Sequence, residues 1–380
     1  MGVLADFVGQ LTAGQRGVAE EQHGLVMVPF ERTNQQVPIM GRSPQQLVAH
    51  EVQTRTCCNR VMPPPLDDIL DRMHVVALPM RVRFRGISIR ELALIDGPAG
   101  WGEFGPFAEY EPAEAALWLT SALESAYQPA PTALRDRIPI NATVPAVPAA
   151  QVGEVLAQFP GARTAKVKVA EPGQTLADDV ARVEAVRAQI PTVRVDANGG
   201  WTLEQAVEAV AALTESGPLE YLEQPCVTLG ELAELRLRVP VPIAADESIR
   251  KAADPLRVVR ERAADIAVLK VAPLGGITAL VKIAAQIDIP VVISSALDSA
   301  IGISAGLAAA AAVPRLDHAC GLATGRLFVE DVVEAVDVVD GCLPVGSMTP
   351  EPARLHTLAA PGPRRQWWID RVKDCYSLLA

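Results

Sequence analysis

The sequence predicts an α/β protein, a (β/α)₈ barrel capped by a smaller α+β domain. Three observations carry that expectation. After Pro139, short β-branched runs alternate with Ala-, Leu-, Glu- and Arg-rich helical stretches; there are eight such runs; and the polar residue closing each run recurs at a steady interval. Those residues are Asn141, Lys168, Asp196, Glu223, Asp246, Lys270, Ser294 and His318, separated by 27, 28, 27, 23, 24, 24 and 24 positions. Each step is the length of one strand, one helix and two short loops. A doubly wound open sheet also alternates strand and helix, but it gathers ligands mainly at one switch point. Here every strand end carries a candidate, and in a closed barrel those ends converge on one face.

In chain order, residues 1–61 are Gln-rich without a sustained period and are expected to be an appended segment, either disordered or an over-long start. Residues 62–137 read as the capping domain. Within them 75–95 is strand-like, with Gly/Pro turn signals after VVALPM and ELALIDG, and 111–127 has helical spacing behind a loop rich in Gly and aromatics. Residues 138–335 hold the barrel, its strands expected at 140–144, 164–170, 192–200, 219–225, 242–248, 265–273, 290–296 and 316–322. Residues 336–380, with RRQWWIDRV, are expected to pack back on the N-terminal unit and complete the cap.

A net charge of −11 without a basic patch argues against nucleic acid, whose phosphates require clustered Lys and Arg. Six cysteines at 57, 58, 226, 320, 342 and 375 form no CxxC pair, which fits a reducing cytoplasm. The longest apolar run, 301–313, is too short for a membrane span and reads as a buried helix. No export signal opens the chain. The sequence does not speak to oligomeric state.

Asp196, Glu223 and Asp246 end three consecutive strands, so they stand side by side around one point. Such a cluster does not stay ionised without a cation, and a hard dication such as Mg²⁺, which leaves positions open for substrate oxygens, is the expected occupant. Taken singly, Asp246 before Glu247-Ser248 also reads as a helix cap. Lys166 and Lys168, two apart on one strand, face one side, either the barrel interior or solvent at an edge. Lys270 lies in an otherwise apolar strand, where an unpaired ammonium is costly, so it needs the carboxylates nearby. The second and sixth strands are opposite in a ring of eight. Lys168 and Lys270 therefore face each other across the acids, an arrangement suited to removing a proton α to a carboxylate and stabilising the enediolate. The base must fall from a pKa of about 10.4 towards roughly 7–8, a change of about 4 kcal/mol. Asn198 reads as a partner of the metal shell or as a turn residue before two glycines. Ser294 and Ser295 read as donors to a substrate carboxylate or as structural hydroxyls, and His318 as a core or cap histidine.

The strings KVK, VDANGGW, EYLEQP, AADES and LKVAPLGGI follow one another in an order and spacing that resemble the enolase superfamily, specifically its muconate-lactonizing subgroup, over residues 72–380. The stretches RVRFRG, SSALDSAIG and RRQWWIDRVK are similar to the o-succinylbenzoate synthase family of menaquinone biosynthesis. The resemblance implies a modified TIM barrel and a Mg²⁺ ion (Mn²⁺ as its substitute). It also implies a syn dehydration of 2-succinyl-6-hydroxy-2,4-cyclohexadiene-1-carboxylate, with Lys168 as base and then acid and Lys270 as an ammonium beside the enediolate. Arg85 is implied in a substrate-contacting cap loop, and Gly321 in the eighth-strand site. Two other readings stay open. One is an N-acylamino acid racemase or dipeptide epimerase, for which the only acid near the eighth strand is Asp317, expected to be buried too deep to serve; the other is a non-catalytic ligand-binding barrel.

Overall fold

The computed structural model describes residues 63–251 and 254–379; the appended segment expected over 1–61, with Cys57 and Cys58, lies outside the described residues. The chain opens with helix α1 (Leu66–Asp71) and an antiparallel sheet of β1 (Met73–Phe84), β2 (Ile87–Gly97) and β3 (Gly100–Phe104). Strand β1 turns at Arg85-Gly86, both in the left-handed region that a tight hairpin needs. Helix α2 (Pro112–Tyr127) lies flat on β2 and β3, burying Trp118, Leu119 and Leu123. A Cβ on Gly102 would stand 1.9 Å from the Ala122 carbonyl oxygen, so only glycine allows that approach.

Strand β4 (Arg137–Pro139) leads into the barrel: β5 (Ala142–Val144), α3 (Val152–Leu156), β6 (Thr164–Lys168), α4 (Leu176–Arg187), β7 (Thr192–Asp196), α5 (Leu203–Thr214), β8 (Leu222–Glu223), α6 (Leu229–Arg238) and β9 (Ile243–Ala245). There follow α7 (Glu247–Arg250), α8 (Arg257–Arg260), β10 (Ile266–Leu269), α9 (Ile277–Ala284), β11 (Val291–Ile293) and α10 (Ala300–Ala312). Thr175, Thr202 and Thr228 start α4, α5 and α6, each in a reciprocal capping box with the residue three places on. Such caps are worth about 1 kcal/mol each and fix where the strand-to-helix loop ends. Strands β5 to β11 form one parallel sheet in sequential order.

The eighth strand expected at 316–322 is reduced to two bridges, Ile140 with Cys320 and Ser294 with Gly321, which close the ring between β5 and β11. The physical reason lies next door. Arg194 Nη1, inside the barrel, donates to the Ala319 carbonyl at 2.9 Å, so that oxygen is bonded to a side chain and not to a neighbouring strand. Asp317, expected deep, is exposed and paired with exposed Arg315. Most of the core lies between sheet and helices, while Tyr221, Ala244, Ile266, Val268 and Val292 form a separate apolar cluster.

The chain ends with β12 (Cys342–Pro344), paired to β4, then α11 (Pro352–Thr357) and α12 (Gly362–Tyr376). Helix α12 returns to the cap: Arg364 Nη2 lies 2.6 Å from Glu91 Oε2, and Trp368 Nε1 donates to the same carboxylate at 3.1 Å. Two cap acids reach across to barrel helices. Glu103 accepts from the backbone of Ser299 and Gly302 at the start of α10, and Glu124 from Thr278 in the first turn of α9, where the helix dipole favours a negative charge. Among the described residues, Cys226, Cys320, Cys342 and Cys375 are free thiols, and no helix is long and apolar enough to cross a membrane.

Candidate active site

Parallel register builds the site. Lys168 pairs with Asp196 across β6 and β7, and Asp196 with Glu223 across β7 and β8; Asp246 follows one residue past β9, and Lys270 one residue past β10. In strand order the two lysines thus stand on either side of the three acids. All five side chains are buried.

Lys168 Nζ lies 2.5 Å from Asp196 Oδ2 and 2.6 Å from Asn198 Oδ1. Lys166 Nζ donates to Glu223 Oε1 at 2.7 Å and lies 3.1 Å from Asp196 Oδ2. Lys270 Nζ donates to Asp246 Oδ2 at 2.6 Å. Asp246 occupies the N-cap position of α7 yet makes no side-chain capping bond, which sets aside the helix-cap alternative for its carboxylate. Asn198, in the left-handed region, receives Lys168, donates through Nδ2 to Glu247 and places its backbone N–H on Asp196 Oδ1 at 3.1 Å.

The electrostatics are those of carboxylates and amines out of water. Burial, reinforced by Asp196 and Asp246, pushes Glu223 up to about 7. Burial would also raise Asp196, but Lys168 and Lys166 hold it well below the usual range; Lys270 and Arg250 likewise hold Asp246 down at about 2. Burial lowers Lys168, assisted by the neighbouring Lys166 and Arg85 charges. Burial would lower Lys166 too, but Glu223 and Asp196 outweigh it and carry it upward.

Asp196, Glu223 and Asp246 are the residues that could hold a metal. As the side chains stand, among the described residues no three acidic, imidazole or thiolate groups are drawn together to metal-ligand distance; lysine ammonium groups neutralise the acids instead. The donor set nonetheless fits a hard dication. It supplies carboxylate oxygens from three adjacent strand ends, and Glu223 Oε2 is buried with no hydrogen-bond partner, a costly state that a cation relieves.

The small cavity over these groups is walled by Phe84, Arg85 and Phe107 from the cap and by Ser294, Ser295, Leu297 and Gly321 from the barrel. The Arg85 guanidinium sits 5.1 Å from the Phe107 ring centroid. Ser295 Oγ donates to the Gly321 carbonyl at 2.8 Å and meets Thr324 Oγ1 at 2.7 Å. A Cβ at Gly321 would lie 2.4 Å from Ser294 Oγ, so glycine keeps this wall open.

One strand-end expectation moves. Asn141 is buried below the site, bonded to Ala142 and Thr143, and Thr143, two residues on, lines the cavity. His318 sits away from the cavity, 2.9 Å from Glu220. Sequence reasoning missed Phe84, Phe107, Thr324, Glu247 and Arg250. Of these, Arg250 alone had a local signal: it stands four residues after Asp246, one helical turn away.

Residues 149–351 match the enolase C-terminal domain-like family, and residues 75–126 the enolase N-terminal domain-like family. The o-succinylbenzoate synthase of Mycolicibacterium smegmatis is 75% identical over 316 residues, covering 83% of this chain and 98% of that protein. The o-succinylbenzoate synthases of Mycobacterium tuberculosis H37Rv and Mycobacterium marinum are 73% and 72% identical, each aligned over 83% of this chain and 97% of their own length. Among solved structures, muconate lactonizing enzyme from Pseudomonas fluorescens complexed with muconolactone superposes with a TM-score of 0.65 at 22% identity, covering 76% of this chain and 98% of that one. That similarity speaks for the fold. Taken with the sequence relatives, it shows that the chain belongs to the o-succinylbenzoate synthases of the enolase superfamily.

Proposed function

We infer that this chain is a hydro-lyase that dehydrates 2-succinyl-6-hydroxy-2,4-cyclohexadiene-1-carboxylate to 2-succinylbenzoate in menaquinone biosynthesis. The observation that carries the reading is the 75% identity to an o-succinylbenzoate synthase along nearly its whole length, together with two buried lysines bonded to the acids at the strand tips. The same reading divides the chain into a cap at 62–137, a barrel at 138–335 and a cap-completing segment at 336–380, and places the enzyme in the cytoplasm.

Asp196, Glu223 and Asp246 would hold Mg²⁺, or Mn²⁺ in its place, which when bound supplies positive charge for the substrate carboxylate as its α-proton leaves. Lys168, its ammonium form disfavoured by burial, takes that proton. The C–H electron pair flows into the carboxylate as an enediolate, next to which Lys270 keeps a positive charge. Collapse of the enediolate forms the ring double bond and breaks the C–O bond on the same face. Lys168 returns its proton to the departing hydroxyl, which leaves as water, so the base is regenerated and the ring is aromatic. Asn198 holds the Lys168 amine in place. Arg85, Phe107, Ser294, Ser295 and Gly321 would shape the pocket around the succinyl arm and carboxylates.

Two opposed lysines would also serve racemisation of an N-acylamino acid, so the test must separate the two. With Mg²⁺, the purified chain is expected to consume the diene and produce the aromatic acid; no turnover of this substrate alongside rapid deuterium exchange into N-succinyl amino acids would overturn the reading.

A further inference from the structure

Arg250 ends the short helix that follows Asp246, and its side chain is 2% exposed. Each of its three nitrogens donates once. Nε donates to Asp246 Oδ1 at 3.1 Å, Nη2 to Glu247 Oε1 at 2.6 Å and Nη1 to the Tyr110 hydroxyl at 2.7 Å. The other Asp246 oxygen is the one held by Lys270, so the arginine fixes the plane of the carboxylate while leaving Oδ2 towards the cavity side. Tyr110 belongs to the cap. It is buried at the end of the loop that carries Phe107 over the cavity, and Arg371 of α12 clamps the same loop through the carbonyls of Phe107, at 2.9 Å, and Tyr110, at 2.5 Å. One guanidinium thus joins a candidate metal ligand to the loop that roofs the site.

We propose that Arg250 is a positioning residue that sets Asp246 for the divalent cation and ties that setting to the cap through Tyr110; this rests on Asp246 being a metal ligand. A charge alone does not explain the arrangement, because a lysine ammonium would neutralise Asp246 but could not span three acceptors in one plane. Partners behind a metal ligand govern its orientation, and losing one costs roughly 10–100-fold in metal affinity.

The experiment titrates the full chain with Mn²⁺, following the free ion by electron paramagnetic resonance, for the wild type, Tyr110→Phe and Arg250→Lys. Thermal melts in chelator run alongside. Arg250→Lys is expected to weaken Mn²⁺ binding by about 10–100-fold, and Tyr110→Phe by a smaller factor, on the order of 3–10-fold, with its metal-free melting midpoint lowered only modestly, since one buried N–H loses its acceptor. Wild-type affinity in both variants overturns the proposal. Wild-type affinity in Tyr110→Phe alone overturns the link to the cap, and this conservative change decides the matter even if Arg250→Lys does not fold. A wild-type chain without saturable Mn²⁺ binding would instead overturn the metal-site reading beneath it.

Discussion

The barrel holds two buried polar clusters, one towards the start of its strands and one at their ends, and they are built to opposite specifications. Towards the base, Arg194 Nε donates to Glu220 Oε2 at 2.8 Å, Nη1 donates to the Tyr221 hydroxyl at 2.7 Å, and His318 Nδ1 meets the other Glu220 oxygen at 2.9 Å. At the mouth, three lysines serve Asp196, Glu223 and Asp246, yet Glu223 Oε2 and Glu247 Oε2 stay buried without a partner. Each unsatisfied buried oxygen costs about 1–3 kcal/mol, more when charged. The base spends its charges on each other, for even Arg194 Nη2, which makes no aligned hydrogen bond, lies 2.6 Å from Glu220 Oε2, whereas the mouth leaves carboxylate oxygens without any donor.

The sharpest way to break that contrast is at Lys168. Lys168→Ala is expected to cut kcat by about 10⁴-fold or more, since one amine serves as both base and acid. Mn²⁺ binding should persist; a variant retaining a tenth of wild-type turnover would show that the mouth does its chemistry another way. The base should answer in the opposite currency. Arg194→Met removes the buried partner of a partly exposed carboxylate and is expected to cost about 1–3 kcal/mol in denaturant unfolding, less than a fully buried pair would, with kcat of the folded fraction within about threefold of wild type. Lost turnover at unchanged stability would make the base functional and erase the distinction.

The smallest effect concerns the seam between cap and barrel, where Glu103 faces Asp298, Arg90 and the start of α10. Burial, reinforced by Asp298, pushes Glu103 up to about 8 from an ordinary 4.5. A carboxyl raised in this way contributes stability that is fully present below about pH 4.5 and is lost as pH rises through about 8. The melting midpoint is therefore expected to fall by several degrees between about pH 5 and pH 9, and Glu103→Gln to flatten that slope. An equal slope in the variant would assign it to other groups.

What the sequence revealed, and what it hid, follows from the range of the interactions involved. The steady interval between Lys168, Asp196, Glu223, Asp246 and Lys270 is a local property of strand-plus-helix length, and parallel register turns it into adjacency. The same interval misplaced the first strand tip by one pleat, because Asn141 and Thr143 share a face and only the pairing of Thr143 with Lys166 tells which is level with the site. The eighth strand failed for a longer-range reason: nothing within 316–322 announces that Arg194 captures the Ala319 carbonyl. Phe107 and Tyr110 were hidden more deeply still, since the loop that carries them is placed by arginines from β2, α7 and α12, at positions 90, 250 and 371.

The return of α12 to the N-terminal sheet bears on how the chain is made. Glu91 emerges from the ribosome long before Arg364 and Trp368, with the entire barrel translated between them. The contacts that α12 makes with Glu91 therefore form only after the whole barrel between them has been translated. That interval is when the nascent protein has most to gain from a chaperone.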